Sequence, residues 1–262
     1  FNIKKIESGA SKKNIYKLWN SANSYIITHF VKDKKEYHNY IKIYDLLNEI
    51  DVSIPQIFEK NDKDLLIISE DFGELRFDKI LKDYPLKDLL NYAVENLIIF
   101  NNYIKFNHIY ELPLYNYKIF QSEIIELPKY YFPYVKLNNL DLLEEFIDVW
   151  SKVFNSIEFE FKNFLHKDFN INNLILLPSR KNHLKCGIID FQSAFWGESS
   201  WDLFSLLEDS RILFSDDYNE SFIKNFYLRT KNEISFKEFI NKYYILSSSR
   251  QTRLLGRWVK LS

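Results

Sequence analysis

Two short polar segments carry residue types that can handle phosphate. In the first, FLHKDFNINNL, His166, Asp168 and Asn173 lie between apolar flanks; in the second, Asp190 ends the apolar run CGIID. A carboxylate such as Asp168 can accept a proton from a hydroxyl nucleophile. Asn173 and Asp190 can supply oxygen ligands to a hard cation, and a small set of this kind suits Mg²⁺. A base with two such ligands favours phosphoryl transfer, which depends on positioning and charge neutralisation.

Either segment alone also fits a polar turn, because Asp and Asn are common turn residues. The joint arrangement is more specific. It combines His-x-Asp-x4-Asn, a short apolar hairpin and then Ile-Ile-Asp-Phe. This order matches a kinase catalytic loop followed by a metal-binding Asp. The two segments together therefore indicate one site built from two loops.

Composition limits the classes of protein and partner. The chain has 262 residues, of which 46% are hydrophobic, enough for one large domain or two lobes. A net charge of -1 does not favour nucleic-acid binding, and no apolar run approaches the roughly 18 residues of a membrane span. The chain shows no secretory signal pattern, and its single cysteine, Cys186, fits a reducing cytosol. We expect a cytoplasmic protein with a small-molecule substrate and neither a nucleic-acid nor a membrane partner; the oligomeric state stays open.

The first 73 residues predict a strand-rich lobe with one helix. A turn of small residues, Ser8 to Ser11, separates two short strand candidates. Asp33, with the acid Glu36 three residues on, resembles a capping box that opens an amphipathic helix. The predicted strands are IKKIES and NIYKLW around the turn, SYIITHFV (24–31) and DLLIIS (64–69).

Helices dominate after about residue 75. Two short apolar strands, 173–177 and 186–190, predict a hairpin across the turn PSRKNH, and the aromatic segment 112–134 reads as irregular. The predicted helices are 86–104, 140–157, 199–214 and 235–261. The pattern predicts an α+β fold.

The two motifs also resemble a known family. HKDFNINNLILL and GIIDFQSA, followed by Asp202-Leu203 and Asp209-Ser210-Arg211, are similar to the aminoglycoside phosphotransferase superfamily, and within it to the bacterial anomeric kinases of N-acetylmuramate and N-acetylglucosamine. ESGASKKNIYKL resembles the glycine loop of that branch, SEDFGE its hinge and RQTRLLGRWVKL its late helix. The resemblance implies a bilobal protein-kinase-like fold, with a small antiparallel-sheet N-lobe (1–73) that binds nucleotide and a larger, mainly helical C-lobe (74–262).

The resemblance implies roles for the residues that match. Asp168 is the expected catalytic base, and Asn173 and Asp190 are expected to hold Mg²⁺ against the phosphates of ATP. His166 and Asp202 are expected to support the catalytic loop. The expected phosphate-covering loop is Ser8, Gly9, Ala10 and Ser11; the expected backbone contacts to adenine are Ser69, Glu70 and Asp71; and the expected substrate residues are Glu123, Tyr130 and Tyr131.

One kinase feature is not evident, because the lysine of the third strand has no counterpart in SYIITHFV. His29 and Lys32 lie near its place, and Lys12 and Lys13 follow the glycine loop as possible substitutes. Glu36 is either the acidic partner of that lysine or a helix-capping acid.

These observations predict an ATP- and Mg-dependent phosphotransferase acting on the hydroxyl of an amino sugar, possibly at the anomeric position. Two alternatives stay open: a kinase for choline, an aminoglycoside or another hydroxylated metabolite, and a catalytically inactive nucleotide-binding scaffold. A cationic substrate would need an acidic pocket, for which Glu123, Glu126, Asp141 and Glu144 are available. The tyrosines fit equally well as ordinary aromatic residues of a Tyr-rich chain.

Overall fold

The computed structural model describes residues 1–6, 13–104, 111–137, 140–212, 216–230 and 233–262. The chain forms two compact units: the first contains Phe1–Ile99 and His166–Ala194, and the second contains Phe100–Leu165 and Phe195–Ser262. Both predicted catalytic motifs therefore belong to the first unit, together with the strand-rich part of the chain. The lobe boundary between residues 73 and 74 divides the chain differently and stays a prediction.

The first unit contains an antiparallel five-stranded sheet. Its strands are β1 (Asn2–Ile6), β2 (Asn14–Trp19), β3 (Ser24–His29), β4 (Ile57–Asn61) and β5 (Leu66–Glu70). Their order is β1-β2-β3-β5-β4, and each neighbouring pair is antiparallel. All four predicted strands are confirmed. Only β4 was missed, because its sequence IFEKN is mostly polar, as suits an edge strand with one neighbour.

Helix α1 (Lys34–Asn48) follows the sheet and begins where its cap predicts. The Asp33 carboxylate accepts a hydrogen bond from the Glu36 N–H at 2.9 Å, which satisfies one of the free donors at the helix start. The reciprocal bond of a capping box is not made, since the Asp33 N–H donates to the Phe30 carbonyl at 2.7 Å. The Glu36 side chain therefore has another function than capping.

Two more helices and a hairpin complete the first unit. They are α2 (Phe77–Ile80), α3 (Leu86–Tyr103, which continues into the second unit), β7 (Leu174–Leu176) and β8 (Cys186–Ile188). The predicted hairpin is confirmed, because β7 and β8 pair antiparallel. Gly187 of β8 lies directly against the Phe72 ring. A Cβ at this position would lie 2.6 Å from the ring, which would have to move to admit any larger residue.

The second unit is mainly helical, with one two-stranded antiparallel sheet. Its strands are β6 (Asn163–Leu165) and β9 (Phe195–Gly197). Its helices are α4 (Tyr117–Ile124), α5 (Phe132–Tyr134), α6 (Leu140–Asn155), α7 (Ser200–Leu207), α8 (Asp216–Arg229) and α9 (Phe236–Leu261). The α+β class is thus confirmed. Within the described residues, no helix combines the length and apolar character of a membrane span.

The irregular segment predicted for 112–134 is wrong. It contains α4, a π-helix at Leu127–Tyr131 and α5. The Asn116 side chain caps α4 by accepting from the Ile119 N–H at 3.2 Å. Pro128 and Pro133 each lie within the first two residues of a helical element.

A buried ion pair in the second unit supports a stability prediction. Lys242 on α9 lies 3.6 Å from Glu198, and both side chains are less than 5% exposed. Burial raises the pKa of Glu198 even though the Lys242 charge opposes this shift. Lys242→Met removes that charge and is expected to lower the free energy of unfolding by about 3–5 kcal/mol, measured by urea denaturation.

The matched control is Lys237→Met, an exposed residue on the same helix, for which a change within about 0.5 kcal/mol is expected. The double variant Lys242→Met with Glu198→Gln is expected to recover part of the loss, because no buried charge is then left without a partner. Equal stabilities of Lys242→Met and Lys237→Met would contradict the prediction.

Candidate functional site

The segment from His166 to Asn173 forms a loop whose shape is set by its own hydrogen bonds. Asn173 closes a short 3-10 turn, and its Nδ2 donates to the Asp168 carbonyl oxygen at 2.9 Å. Lys167 has a positive φ of 75°, an uncommon conformation that turns the chain sharply before Asp168. Because Nδ2 is used inside the loop, Oδ1 is the Asn173 atom available to a cation; the half-buried Asp168 precedes Asn173 by five residues.

The second motif is joined to this loop through the backbone of Ile189. Its N–H donates to the Asn173 carbonyl at 3.0 Å, and its carbonyl accepts from His166 Nε2 at 3.0 Å. His166 is fully buried, and desolvation lowers its pKa despite the nearby carboxylates of Asp168 and Asp190. A neutral imidazole that donates to Ile189 supports the predicted bracing role. The structure thus brings both predicted motifs together.

Asp190 follows at once in the left-handed conformation, with φ 64° and ψ 37°, which Asp tolerates better than most residues. The next residue, Phe191, is buried against Tyr40 of α1, with ring centroids 4.8 Å apart. The Asp190 side chain remains 45% exposed, and Lys13 Nζ lies 2.9 Å from its Oδ1. Desolvation raises the pKa of Asp190, but Lys13 and Gln192 more than offset it, so the pKa lies below its ordinary value. Asp190 is therefore a carboxylate.

Lys13, one of the two lysines that follow the expected glycine loop, lies against both Glu36 and Asp190. Its side chain is 5% exposed, and Nζ lies 3.5 Å from Glu36 Oε1 as well as beside Asp190. Lys13 directly precedes β2, whose Asn14 pairs with His29 of β3, so this ammonium comes from the neighbouring strand. Glu36 is thus an ion-pair partner of Lys13, and its part in a nucleotide site stays a prediction. Neither His29 nor Lys32 shows this contact within the described residues.

Gln192 completes the group and was missed by the sequence reasoning. Its Nε2 lies 2.8 Å from Asp190 Oδ1 and 3.2 Å from Glu36 Oε1. The available signal was its position in Ile-Asp-Phe-Gln, where a long amide stands two residues after the expected metal ligand.

The donor set fits the cation predicted for it. Asn173 Oδ1 and an ionised Asp190 are hard oxygen ligands, and Mg²⁺ is bound by few protein oxygens with waters and phosphates completing its shell. A buried Lys13 beside Asp190 adds a positive charge suited to phosphate oxygens.

The expected nucleotide residues are only partly within the described structure. Ser8, Gly9, Ala10, Ser11 and Lys12 lie outside it. Ser69 and Glu70 end β5, and Asp71 follows.

The side chains of this segment are already paired. Glu70 binds Arg180 at 2.6 Å and Asp71 binds Lys17 at 3.0 Å. The Glu70 N–H donates to the Gln56 carbonyl at 2.9 Å and is therefore not available to a base; the contact of this segment to adenine stays a prediction.

The expected substrate residues lie in the second unit. Glu123 is paired with Arg253 at 2.9 Å and accepts from the Tyr115 hydroxyl at 3.0 Å. Tyr130 and Tyr131 are half-buried in the π-helix, an element often found at functional sites. Asp202, in the first turn of α7, is 2% exposed, and its predicted support of the catalytic loop stays a prediction.

Further charges surround these residues. Glu126 is bound by Arg257 at 3.1 Å and Lys260 at 3.6 Å, and the ammonium groups of Lys129 and Lys260 lie 5.3 and 5.2 Å from the Tyr130 ring centroid. Helix α9 packs directly on the backbone at Glu126: a Cβ on Gly256 of α9 would lie 2.1 Å from the Glu126 carbonyl oxygen. We call this group the charged cluster, with members Glu123, Glu126, Lys129, Tyr130, Arg253, Arg257 and Lys260.

Comparisons with known proteins bear on the motifs and on the fold separately. Residues 125–231 match the family model described as phosphotransferase enzyme family. A kinase of N-acetylmuramate and N-acetylglucosamine from Caulobacter vibrioides is 31% identical over 119 residues, which cover 45% of this chain and 32% of that protein. The kinase of the same name from Neisseria meningitidis serogroup B is 28% identical over 109 residues, which cover 38% of this chain and 30% of that protein. The chain thus matches about a third of the length of these curated relatives.

Solved structures resemble the whole chain at low identity. The GDP complex of wild-type aminoglycoside 2'-phosphotransferase-IIIa has a TM-score of 0.65 at 14% identity, covering 100% of this chain and 87% of that one. Plasmodium vivax ethanolamine kinase has a TM-score of 0.64 at 15% identity, covering 96% of this chain and 74% of that one. Likeness at this identity shows the fold alone, and it confirms the expected kinase-like architecture. The resemblance inferred from the motifs is likewise confirmed: residues 125–231, less than half of the chain, are similar to the phosphotransferase enzyme family.

Proposed function

We propose that this protein is an ATP- and Mg-dependent kinase that phosphorylates a hydroxyl of an amino sugar, N-acetylmuramate or N-acetylglucosamine, at the anomeric position. One observation carries the proposal: Ile189 links the Asp168 loop to Asp190, and Lys13 contacts both Asp190 and Glu36. Polar turns that only capped backbone groups would not explain why Lys13 and Glu36 lie beside Asp190. The family match of residues 125–231 supports the same chemistry.

The proposed mechanism assigns one task to each residue. Asp168 orients the acceptor hydroxyl and accepts its proton as the oxygen bonds to the γ-phosphorus of ATP; the bond from that phosphorus to the β–γ bridging oxygen breaks, and ADP leaves. Asn173 and Asp190 hold the cation, and Lys13, kept in place by Glu36, binds phosphate oxygens. When bound, Mg²⁺ neutralises charge that develops on the phosphates. His166 keeps the loop in register with Asp190.

The charged cluster and the names of the curated relatives both support a sugar as the acceptor. Both carboxylates of the cluster are already paired with Arg or Lys, and its cations outnumber its carboxylates. A polycationic aminoglycoside would meet like charge there. A neutral acetamido sugar would not, and the carboxylate of a muramate would be attracted to Arg253 or Arg257. Tyr130 and Tyr131 are proposed to supply the wall of this site.

The cellular setting is part of the proposal. A free, buried Cys186 fits a reducing cytoplasm, and burial raises the pKa of its thiol, which keeps it unreactive. The near-neutral net charge of -1 offers no reason to add a nucleic-acid partner.

ADP release is the measurement that tests this function. N-acetylmuramate or N-acetylglucosamine is expected to stimulate Mg-dependent ATP consumption, whereas choline, ethanolamine and kanamycin are not. Stimulation by one of the cations alone would overturn the sugar assignment and leave a kinase. No Mg-dependent turnover with any acceptor would favour the inactive scaffold.

Glu123→Ala tests the substrate assignment within the chain. Loss of this carboxylate leaves Arg253 unpaired and is expected to raise the sugar KM, or lower kcat, by about tenfold, with the KM for ATP unchanged. Glu123→Gln, which keeps the shape and can still accept a hydrogen bond, is expected to lose less. A parent-like sugar KM and kcat in Glu123→Ala would remove Glu123 from the substrate site.

A further inference from the structure

Gln192 links helix α1 to the loop that carries Asp190. It lies in the 3-10 turn Phe191–Ser193, and its side chain is 7% exposed. Its Nε2 reaches Asp190 Oδ1 at 2.8 Å and Glu36 Oε1 at 3.2 Å. The same amide group therefore joins two carboxylates that are distant in sequence.

The orientation of this amide follows from its neighbours. Rotating it by 180° would place its carbonyl oxygen against two carboxylate oxygens, which is repulsive, so Nε2 must face them. In this orientation Gln192 Oε1 is buried and has no hydrogen-bond partner among the described residues. A buried acceptor without a hydrogen bond costs free energy. The hydrogen bonds from Nε2 to the carboxylates of Asp190 and Glu36 therefore determine how this side chain is placed.

Lys13 shares both of these acceptors. Its Nζ lies 2.9 Å from Asp190 Oδ1 and 3.5 Å from Glu36 Oε1. The four groups thus form a closed ring in which each carboxylate oxygen faces the same two donors. Lys13 brings a charge and Gln192 does not. In the proposed function Lys13 is drawn toward phosphate, and Asp190 takes up a cation.

We propose that Gln192 is a positioning residue that keeps Glu36 and Asp190 together while Lys13 contacts the nucleotide phosphates. This role rests on the proposed function. A neutral amide suits this role, because the amide stabilises Asp190 without adding a positive charge that would repel the incoming cation. The glycine that protein kinases carry two residues after the metal-binding Asp has no side chain for such a link.

Calorimetry of nucleotide binding tests the role without any turnover. Gln192→Met keeps the approximate volume and removes the donor. It is expected to weaken binding of Mg·ATP by about tenfold and of Mg-free ATP by less than about twofold. Gln251→Met is the control, since Gln251 belongs to the second unit, where its side chain donates to the Glu208 carbonyl, and parent-like binding is expected.

A double-mutant cycle separates a link between two carboxylates from local support of Asp190. In a Glu36→Ala background, Gln192→Met is expected to change Mg·ATP affinity by clearly less than it does in the parent. Fully additive effects would overturn the linking role. Thermal unfolding reports whether each variant is folded. If Gln192→Met is unfolded, Gln192→Asn replaces it: this shorter amide cannot span both partners and is expected to weaken Mg·ATP binding similarly.

The outcomes distinguish the role of Gln192 from the proposed function itself. A parent that binds Mg·ATP while folded Gln192→Met and Gln192→Asn bind it equally well would overturn the role of Gln192 alone. A parent that binds neither Mg·ATP nor ATP would overturn the proposed function and this role with it.

Discussion

Asp168→Asn is expected to lower turnover by about 10²–10⁴-fold while Mg·ATP binding stays close to that of the parent. The amide keeps the shape of the carboxylate but cannot accept the proton of the acceptor hydroxyl. The loop geometry is expected to survive, because its hydrogen bonds use the Asp168 carbonyl oxygen and the side chains of Asn173 and His166. Steady-state ADP release and calorimetry of nucleotide binding measure the two quantities separately.

The control for this variant is Asp148→Asn on α6. Asp148 is 58% exposed and pairs only with Lys152 four residues on, among the contacts of the described residues, so parent-like turnover is expected. Turnover of a folded Asp168→Asn at the level of Asp148→Asn would remove the proposed base. A loss of Mg·ATP binding equal to the loss of turnover would show that Asp168 acts on the nucleotide instead.

Asp190→Ala is expected to weaken Mg·ATP binding by about a hundredfold or more, and Asn173→Ala by about tenfold. The difference arises because Asp190 brings a full negative charge to the cation and Asn173 brings a dipole. Asp190→Ala also removes one of the two carboxylates that face the buried Lys13. Titrations with ATP in the presence of Mg²⁺ and of a chelator measure both effects.

The chelator experiment gives the second half of this test. Without Mg²⁺, the parent and Asn173→Ala are expected to bind ATP with similar affinities, because Asn173 is proposed to reach the nucleotide through the cation and its other hydrogen bond lies inside the loop. Asp148→Ala serves as the surface control. If Asp190→Ala and Asn173→Ala both bind Mg·ATP like the parent, the cation is held elsewhere in the chain.

Local signals determined much of the fold and the identity of the two motifs. The strands around Ser8–Ser11, the helix opened by Asp33 and the hairpin of β7 and β8 all follow from short-range patterns of apolar and turn residues. The spacing His-x-Asp-x4-Asn and the Asp after the second hairpin strand are equally local, because the loop is closed by residues at most five positions apart. Elements without such a signal, such as the polar edge strand β4, were missed.

Tertiary structure alone decided which distant residues share the site. Lys13 and Asp190 are 177 positions apart and Gln192 and Glu36 are 156 apart, and no sequence periodicity relates residues at such distances. For this reason the sequence left Glu36 open between a cap and an ion-pair partner, and left the missing strand lysine without a single replacement. Pairing across β2 and β3 and packing of α1 on the turn after Asp190 determine where Lys13 and Glu36 lie. Short-range pattern thus specified the loops, whereas the positions of the charges depend on which elements pack together.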